Sequence, residues 1–184
     1  MYDVEEYLHL ALHASANRNP HACIGYLKES LALEPRNPKA VYLLAIQHAE
    51  IGLIERGIAG LTQALALDPK LEIARLQLGL LMLDRGRTVE AREQFSMPQA
   101  SADEALRTFA EGMVLAIDGK LTPASEKMKT GLGMQTANGA LRPLMQEVLT
   151  RLEKMQSAAG KPETTAADEK RIFMGAYGST PPSR

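Results

Sequence analysis

Residues 27–38 read LKESLALEPRNP and residues 61–72 read LTQALALDPKLE. Both open on Leu, run through Leu-Ala-Leu to an acidic residue and reach a proline, Pro35 in one and Pro69 in the other, 34 residues apart. A fixed period of this length marks an array in which each unit is a helix-turn-helix that buries its apolar stripe only against its neighbours. The period extends in both directions. It pairs Tyr7 with Val41, Leu10 with Leu44, Ala11 with Ala45 and Leu27 with Leu61, and it continues to Leu78, Gly79, Ala91 and Phe95. After an irregular joint, Gly112, Leu115, Ala124 and Met128 take the same places in a fourth unit. The repeats are therefore set at about 4–37, 38–71, 72–105 and 105–138.

Capping signals give helices without reference to the period. Asp3 with Glu6, and Ser101 with Glu104, have capping-box spacing, while Asn37-Pro38 and Thr122-Pro123 place a capping residue before a proline at the first helical position. Gly52, Gly86, Gly119 and Gly133 stand where helices should stop. The spacing predicts helices over 3–16, 21–34, 38–51, 54–67, 71–85, 88–97, 102–118 and 123–132. A last helix over 140–156 has one apolar face (Leu141, Leu144, Met145, Val148, Leu149, Leu152, Met155) and is read as a cap on the array. The array with its cap forms a domain over 1–156. Residues 157–184 read as a flexible tail with a hydrophobic segment at 172–177.

The large-small pairs Leu10-Ala11, Leu44-Ala45 and Leu78-Gly79, the small residue opening each second helix and the closing prolines resemble tetratricopeptide repeats over about residues 4–138. The resemblance implies an all-α, right-handed helical solenoid of four helix pairs plus the C-terminal capping helix. It also implies a protein-binding role, in which the first helix of each pair lines a concave face. Two departures are visible: Pro98 cuts the second helix of repeat three short, and repeats three and four lack the closing proline. Relatives that grip carboxylate tails of chaperones use a clamp of Lys, Asn and Arg; here those places hold Leu8, Leu12, Leu43, Ile73 and Gln77, so no such clamp is expected.

In this register the concave positions are Leu8, His9, Leu12, Lys39, Tyr42, Leu43, Ile46, Ile73, Leu76, Gln77, Leu80, Phe109 and Met113. Most are apolar, and residues 41–46 are apolar all round, so something should cover a second face. The expected function is an adaptor or chaperone-like module that holds an apolar or amphipathic segment of a partner protein in this groove. The alternatives are a self-associating unit with the groove as a homodimer interface, or a secretion chaperone for a hydrophobic substrate protein. Ile172, Phe173, Met174 and Tyr177 form an apolar knot that could plug the groove. The linker before it spans roughly 20 Å as a random coil.

Composition narrows the field further. With 21 Lys plus Arg against 22 Asp plus Glu, the net charge is −1 and no basic field exists to attract nucleic acid. The longest uncharged apolar run, residues 40–49, is half of the roughly 20 residues a membrane-spanning helix needs. Asp3, Glu5 and Glu6 occupy the place of a signal peptide's apolar stretch, and Cys23 has no partner for a disulfide, so a cytoplasmic location is expected. No catalytic residue, cofactor or metal is expected. His9 and His13 share a helical face but lack a third ligand, and Cys23 takes a small-residue place that close helix packing should bury. Met82, Met128, Met134 and Met145 read as core fillers, with Met113 alone at the groove.

Overall fold

A computed structural model describes residues 2–136 and 138–159 of the chain. Among them are the helices α1 (Val4–Ala16), α2 (Pro20–Leu33), α3 (Pro38–Glu50), α4 (Ile54–Leu67), α5 (Glu72–Asp84), α6 (Thr88–Ser96), α7 (Glu104–Ile117), α8 (Leu121–Leu132) and α9 (Leu141–Ala159). A short 3-10 helix, Met97–Ala100, follows α6. There is no strand among the described residues.

The starts of three helices follow from side-chain caps. Asp3 accepts from the Glu6 amide and Glu6 accepts from the Asp3 amide, both at 2.8 Å, which completes the expected capping box on α1. Asn37 accepts from the Ala40 amide at 3.0 Å with Pro38 at the first turn of α3. Asn19 does the same for α2 through the Ala22 amide at 3.1 Å.

Two expected starts are corrected. Asp103, rather than Ser101, caps α7 by accepting from the Leu106 amide, while the Ser101 hydroxyl accepts from the Asp103 amide one step earlier. An Asp two residues nearer the helix outcompetes the Ser as acceptor. Helix α8 begins at Leu121, so Pro123 lies inside its first turn and Thr122 caps nothing. Proline is tolerated there because the first-turn amides have no intrahelical partner to lose.

The ends of the first helices repeat one device four times. Arg18, Gly52, Gly86 and Gly119 have φ of 53°, 83°, 73° and 75°, and each amide donates to the carbonyl three residues back. The next residue (Asn19, Leu53, Arg87, Lys120) donates to the carbonyl five residues back, at 2.8–2.9 Å. Together these bonds make a Schellman motif, which turns the chain from one helix into its antiparallel partner. Gly133 stays right-handed at φ −80°, so it ends α8 without this device. Pro98 acts as its chemistry requires: α6 stops at Ser96 and the backbone tightens into the 3-10 helix.

The chain divides into two compact units between Ala74 and Arg75. In the first, α1 pairs with α2, α3 with α4, and α2 also packs on α3. Its core gathers Leu8, Ala11, Ala14, Cys23, Leu27 and Ala40, with Leu43 and Leu44 against it. Gly60 of α4 sits so close to Ala45 of α3 that a methyl group on it would lie 2.7 Å from the Ala45 Cβ.

In the second unit, α7 packs against α6, α8 and α9, and α8 against α9. Helix α9 is held on α8 at several points. Arg142 donates to the carbonyls of Leu132 (2.6 Å) and Met134 (3.3 Å), satisfying the open end of α8. Gln156 donates to the Ser125 hydroxyl at 2.8 Å, and Lys129 pairs with Glu153 at 3.1 Å. Between these points Met145 fills the space left by Gly131, where a methyl group would lie 2.1 Å from the Met145 Cε.

Candidate protein-binding face

In the sequence, the register positions fall into columns at repeat spacing. One column runs Leu12, Ile46, Leu80, Met113, and its side chains go from 50% exposed at Leu12 through half-buried at Ile46 to 4% at Leu80 and 0% at Met113. A second runs Leu8, Tyr42, Leu76, Phe109, of which only Tyr42 is not fully buried. The first of these positions is thus open in α1 and α3 and sealed in α5 and α7, while the second is already buried in α1 at Leu8.

Helix α7 shows why. Eight of its residues are buried (Ala105, Leu106, Thr108, Phe109, Ala110, Gly112, Met113, Ala116), over somewhat more than half of the helix circumference. The neighbours α6, α8 and α9 surround it, so Phe109 and Met113 act as core. Ile73, Leu76, Gln77 and Leu80 of α5 are buried as well.

The accessible sequence-predicted residues all lie in the first unit. His9, Leu12 and Lys39 are exposed, and Tyr42, Leu43 and Ile46 are half-buried. Helices α1 and α3 are held side by side by Gln47, whose amide donates to the Ser15 hydroxyl at 3.2 Å and to Glu50 at 2.6 Å. Leu12 lies one turn before Ser15 on α1, and Leu43 one turn before Gln47 on α3. Burial raises the Glu50 carboxyl above its ordinary pKa, and the Gln47 hydrogen bond offsets part of that.

Two buried oxygens lack a partner, a feature the sequence did not announce. Gln77 Oε1 and Asp84 Oδ1, both on α5, are buried and accept no hydrogen bond. Burial pushes Asp84 up to about 7, against the pull of Arg151 and with a further push from Glu147. The register places Gln77 on the inward face but not its unpaired oxygen, and an Asp at a helix end ordinarily reads as solvated.

The remaining expectations can be placed. Cys23 is buried, and burial followed by the Glu50 charge raises its thiol to about 11, which leaves almost no thiolate at neutral pH. His9 and His13 are exposed, and His13 lies beside Asn17. Among the described residues no group of three or more His, Cys, Asp or Glu side chains could hold a metal ion, and no helix is long and apolar enough to cross a membrane. Ile172, Phe173, Met174 and Tyr177 lie outside the described residues.

Comparison with solved structures now settles the architecture. The TPR domain of P58(IPK) superposes with a TM-score of 0.59 at 21% identity, covering 94% of this chain and 54% of that one. The chain has the tetratricopeptide-repeat fold. Its class is the all-α helical solenoid expected from the 34-residue period. A crystal structure of MamA matches with a TM-score of 0.57 at 23% identity, over 70% of this chain and 76% of that one. MamA 41-end from Desulfovibrio magneticus RS-1 gives the same TM-score at 17% identity, over 86% and 97%. No family model matches the chain, and no curated protein matches it by sequence. At these identities the tetratricopeptide likeness speaks for the fold alone.

Proposed function

We propose that the chain is a cytoplasmic protein-binding module, an adaptor or chaperone-like unit, that takes an apolar or amphipathic segment of a partner on the α1/α3 face of its first unit. The observation that carries this reading is Leu12 of α1, a large aliphatic side chain left 50% exposed, with Tyr42, Leu43 and Ile46 half-buried on α3, the helix that Gln47 ties to α1. Apolar side chains grouped on one face are the usual mark of an interaction surface, and a single exposed Leu is not. Exposed His9 and Lys39 give the patch a polar margin, the arrangement found at the rim of protein interfaces. The fold supports the reading without naming a partner, since tetratricopeptide repeats present helix faces rather than reactive groups.

The test uses Leu12→Glu with Ile46→Glu, one exposed and one half-buried position, with circular dichroism establishing that the variant folds. Wild type and variant serve as bait in native cell lysate, with sedimentation velocity on each alone. A protein retained by wild type and lost by the variant supports partner binding on this face. A wild-type dimer that the variant dissociates assigns the face to self-association instead. If neither behaviour changes, the α1/α3 face is not a binding site.

A further inference from the structure

A second surface lies in the first unit, away from the α1/α3 face. An open trough of about 290 Å³ runs over α3 between the end of α2 and α4. Its lining is Leu31 and Pro35 on one side, Val41, Leu44 and Ala45 along α3, and Ala59 and Gly60 on α4. The remaining residues are His48, Arg56 and Gln63, so the lining holds no acidic residue. Volume and openness suit a few side chains of a docked segment better than an enclosed small molecule.

The charge at the rim is unanswered from within. Arg56 and Lys28 are exposed and make no ion pair or hydrogen bond among the described residues. Both stand close enough to His48 to act on it: burial first, then Arg56 and Lys28, lower its pKa, which favours the neutral imidazole. The trough is therefore apolar along its floor and cationic at one edge.

The larger cavity of the second unit makes the contrast. It holds about 430 Å³ between α7 and α8, and its cations are already engaged. Lys127 pairs with Glu111 at 2.5 Å, and Arg107 donates to the Ser101 carbonyl at 2.5 Å. Glu104 and Glu126 add negative charge beside them. Of the two cavities, only the trough in the first unit combines an apolar floor with free positive charge.

We infer that the trough over Val41, Leu44 and Ala45 is a docking site for an amphipathic segment of a partner protein, with apolar side chains on the floor and carboxylates meeting Arg56 and Lys28. Apolar contact supplies most of the affinity, while the charges set orientation and discriminate against basic segments. This surface shares no residue with the α1/α3 face, so the two readings stand or fall separately.

The probe is a fluorescein-labelled helical peptide of about 15 residues, with Leu at one-turn spacing and Glu flanking the Leu stripe. A matched peptide has Lys in place of each Glu. Fluorescence anisotropy with the full chain should show binding of the acidic peptide, weakening as salt is raised, and roughly tenfold weaker binding of the basic one. Arg56→Glu with Lys28→Glu should weaken the acidic peptide by a similar factor and reverse the preference. Both positions are exposed, and circular dichroism establishes that the variant folds. Leu12→Glu with Ile46→Glu should leave the acidic peptide's affinity unchanged. The proposal is overturned if neither peptide binds, if both bind equally, or if the charge reversal has no effect. It is also overturned if a synthetic peptide of residues 160–184 displaces the probe at equal or lower concentration, which gives the trough to the chain's own C-terminal segment. A homodimer that Arg56→Glu dissociates would give it to a second copy.

Discussion

The ring of Phe95 fills the space that any side chain at Gly79 would need: a methyl group built on Gly79 would lie 2.6 Å from Cζ and 2.8 Å from Cε1. The pair is 16 residues apart, and the same spacing links Ala11 with Leu27, Ala45 with Leu61 and Gly112 with Met128. Where the large member is Leu, the small member keeps its methyl group. Where it is Phe or Met, the small member is Gly, and a methyl group on Gly112 would meet the Met128 Cε at 2.7 Å. The helix crossing is thus conserved in volume from pair to pair, while the residues that make it up change.

Gly79→Ala should therefore destabilise, by about 1–3 kcal/mol, because a full-sized ring cannot yield in a close-packed core. The sign is the informative part. In an open helical position the same substitution stabilises by about 0.5–1 kcal/mol. Gly25 of α2 provides that control, since nothing lies within 4 Å of a methyl group built there. Urea unfolding of Gly79→Ala, Gly25→Ala and Gly79→Ala with Phe95→Leu measures all three. The double variant should recover part of the loss, restoring the Ala-Leu pairing of the first two repeats. Stabilisation by Gly79→Ala alone would refute the tight crossing.

These pairs also show what the sequence makes legible. Helix pairs, their starts at Asn37 and Asp3, and the turns at Gly52, Gly86 and Gly119 are local chemistry, and they stand within one or two residues of where the spacing puts them. The start of α7 differs because Ser101 and Asp103 both offer an acceptor and the nearer one caps the helix, while α8 starts after Lys120, which has no side-chain cap to mark it. Burial of the inward positions was less legible. Periodicity tells which face of a helix a residue occupies, but Phe109 and Met113 are sealed by what packs around α7. Nothing in the residues of α7 themselves distinguishes an inward face that is covered from one that is open.

Arg18 holds the left-handed place that Gly52, Gly86 and Gly119 hold elsewhere, with φ of 53°. A side chain there crowds the following carbonyl, at a cost of about 1–2 kcal/mol, partly offset because Gly loses more freedom on folding. Arg18→Gly should stabilise the chain by about 0.5–1 kcal/mol, and Gly52→Arg should destabilise it by a comparable amount. Midpoints of urea unfolding at constant slope test both. If Arg18→Gly lowers the midpoint, the Arg side chain makes a contribution that the backbone argument misses.

Asp84 predicts a pH dependence. Its carboxyl is raised from 3.8 to about 7, chiefly by burial, and its Oδ1 accepts no hydrogen bond. Below the lower value both folded and unfolded chains hold the proton, and the contribution to stability is complete. Between the two values the folded chain keeps a proton that the unfolded chain has released, so stability falls as pH rises; above about 7 the loss is complete. Asp84→Asn keeps the shape and removes the titration. The Tm of the variant minus that of wild type should therefore grow from pH 4 to pH 7 and then level off. A difference independent of pH would show that Asp84 titrates as a solvated carboxylate.

The column Leu12, Ile46, Leu80, Met113 yields a graded prediction, because one substitution can be made at each step of one register position. Glu at Leu12 meets solvent and should change stability within about 0.5 kcal/mol, as surface substitutions do. Glu at Met113 would enter a fully buried site. Burying an unpaired carboxylate that way costs enough, above about 4 kcal/mol, to unfold much of the chain at neutral pH. Ile46, half-buried, should fall between, and Leu80 should resemble Met113. Urea midpoints for the four variants should therefore fall from the first repeat to the third and stay low at the fourth. Equal losses at Leu12 and Met113 would mean that the α1 face is covered in solution, and with it the proposed binding face would be lost.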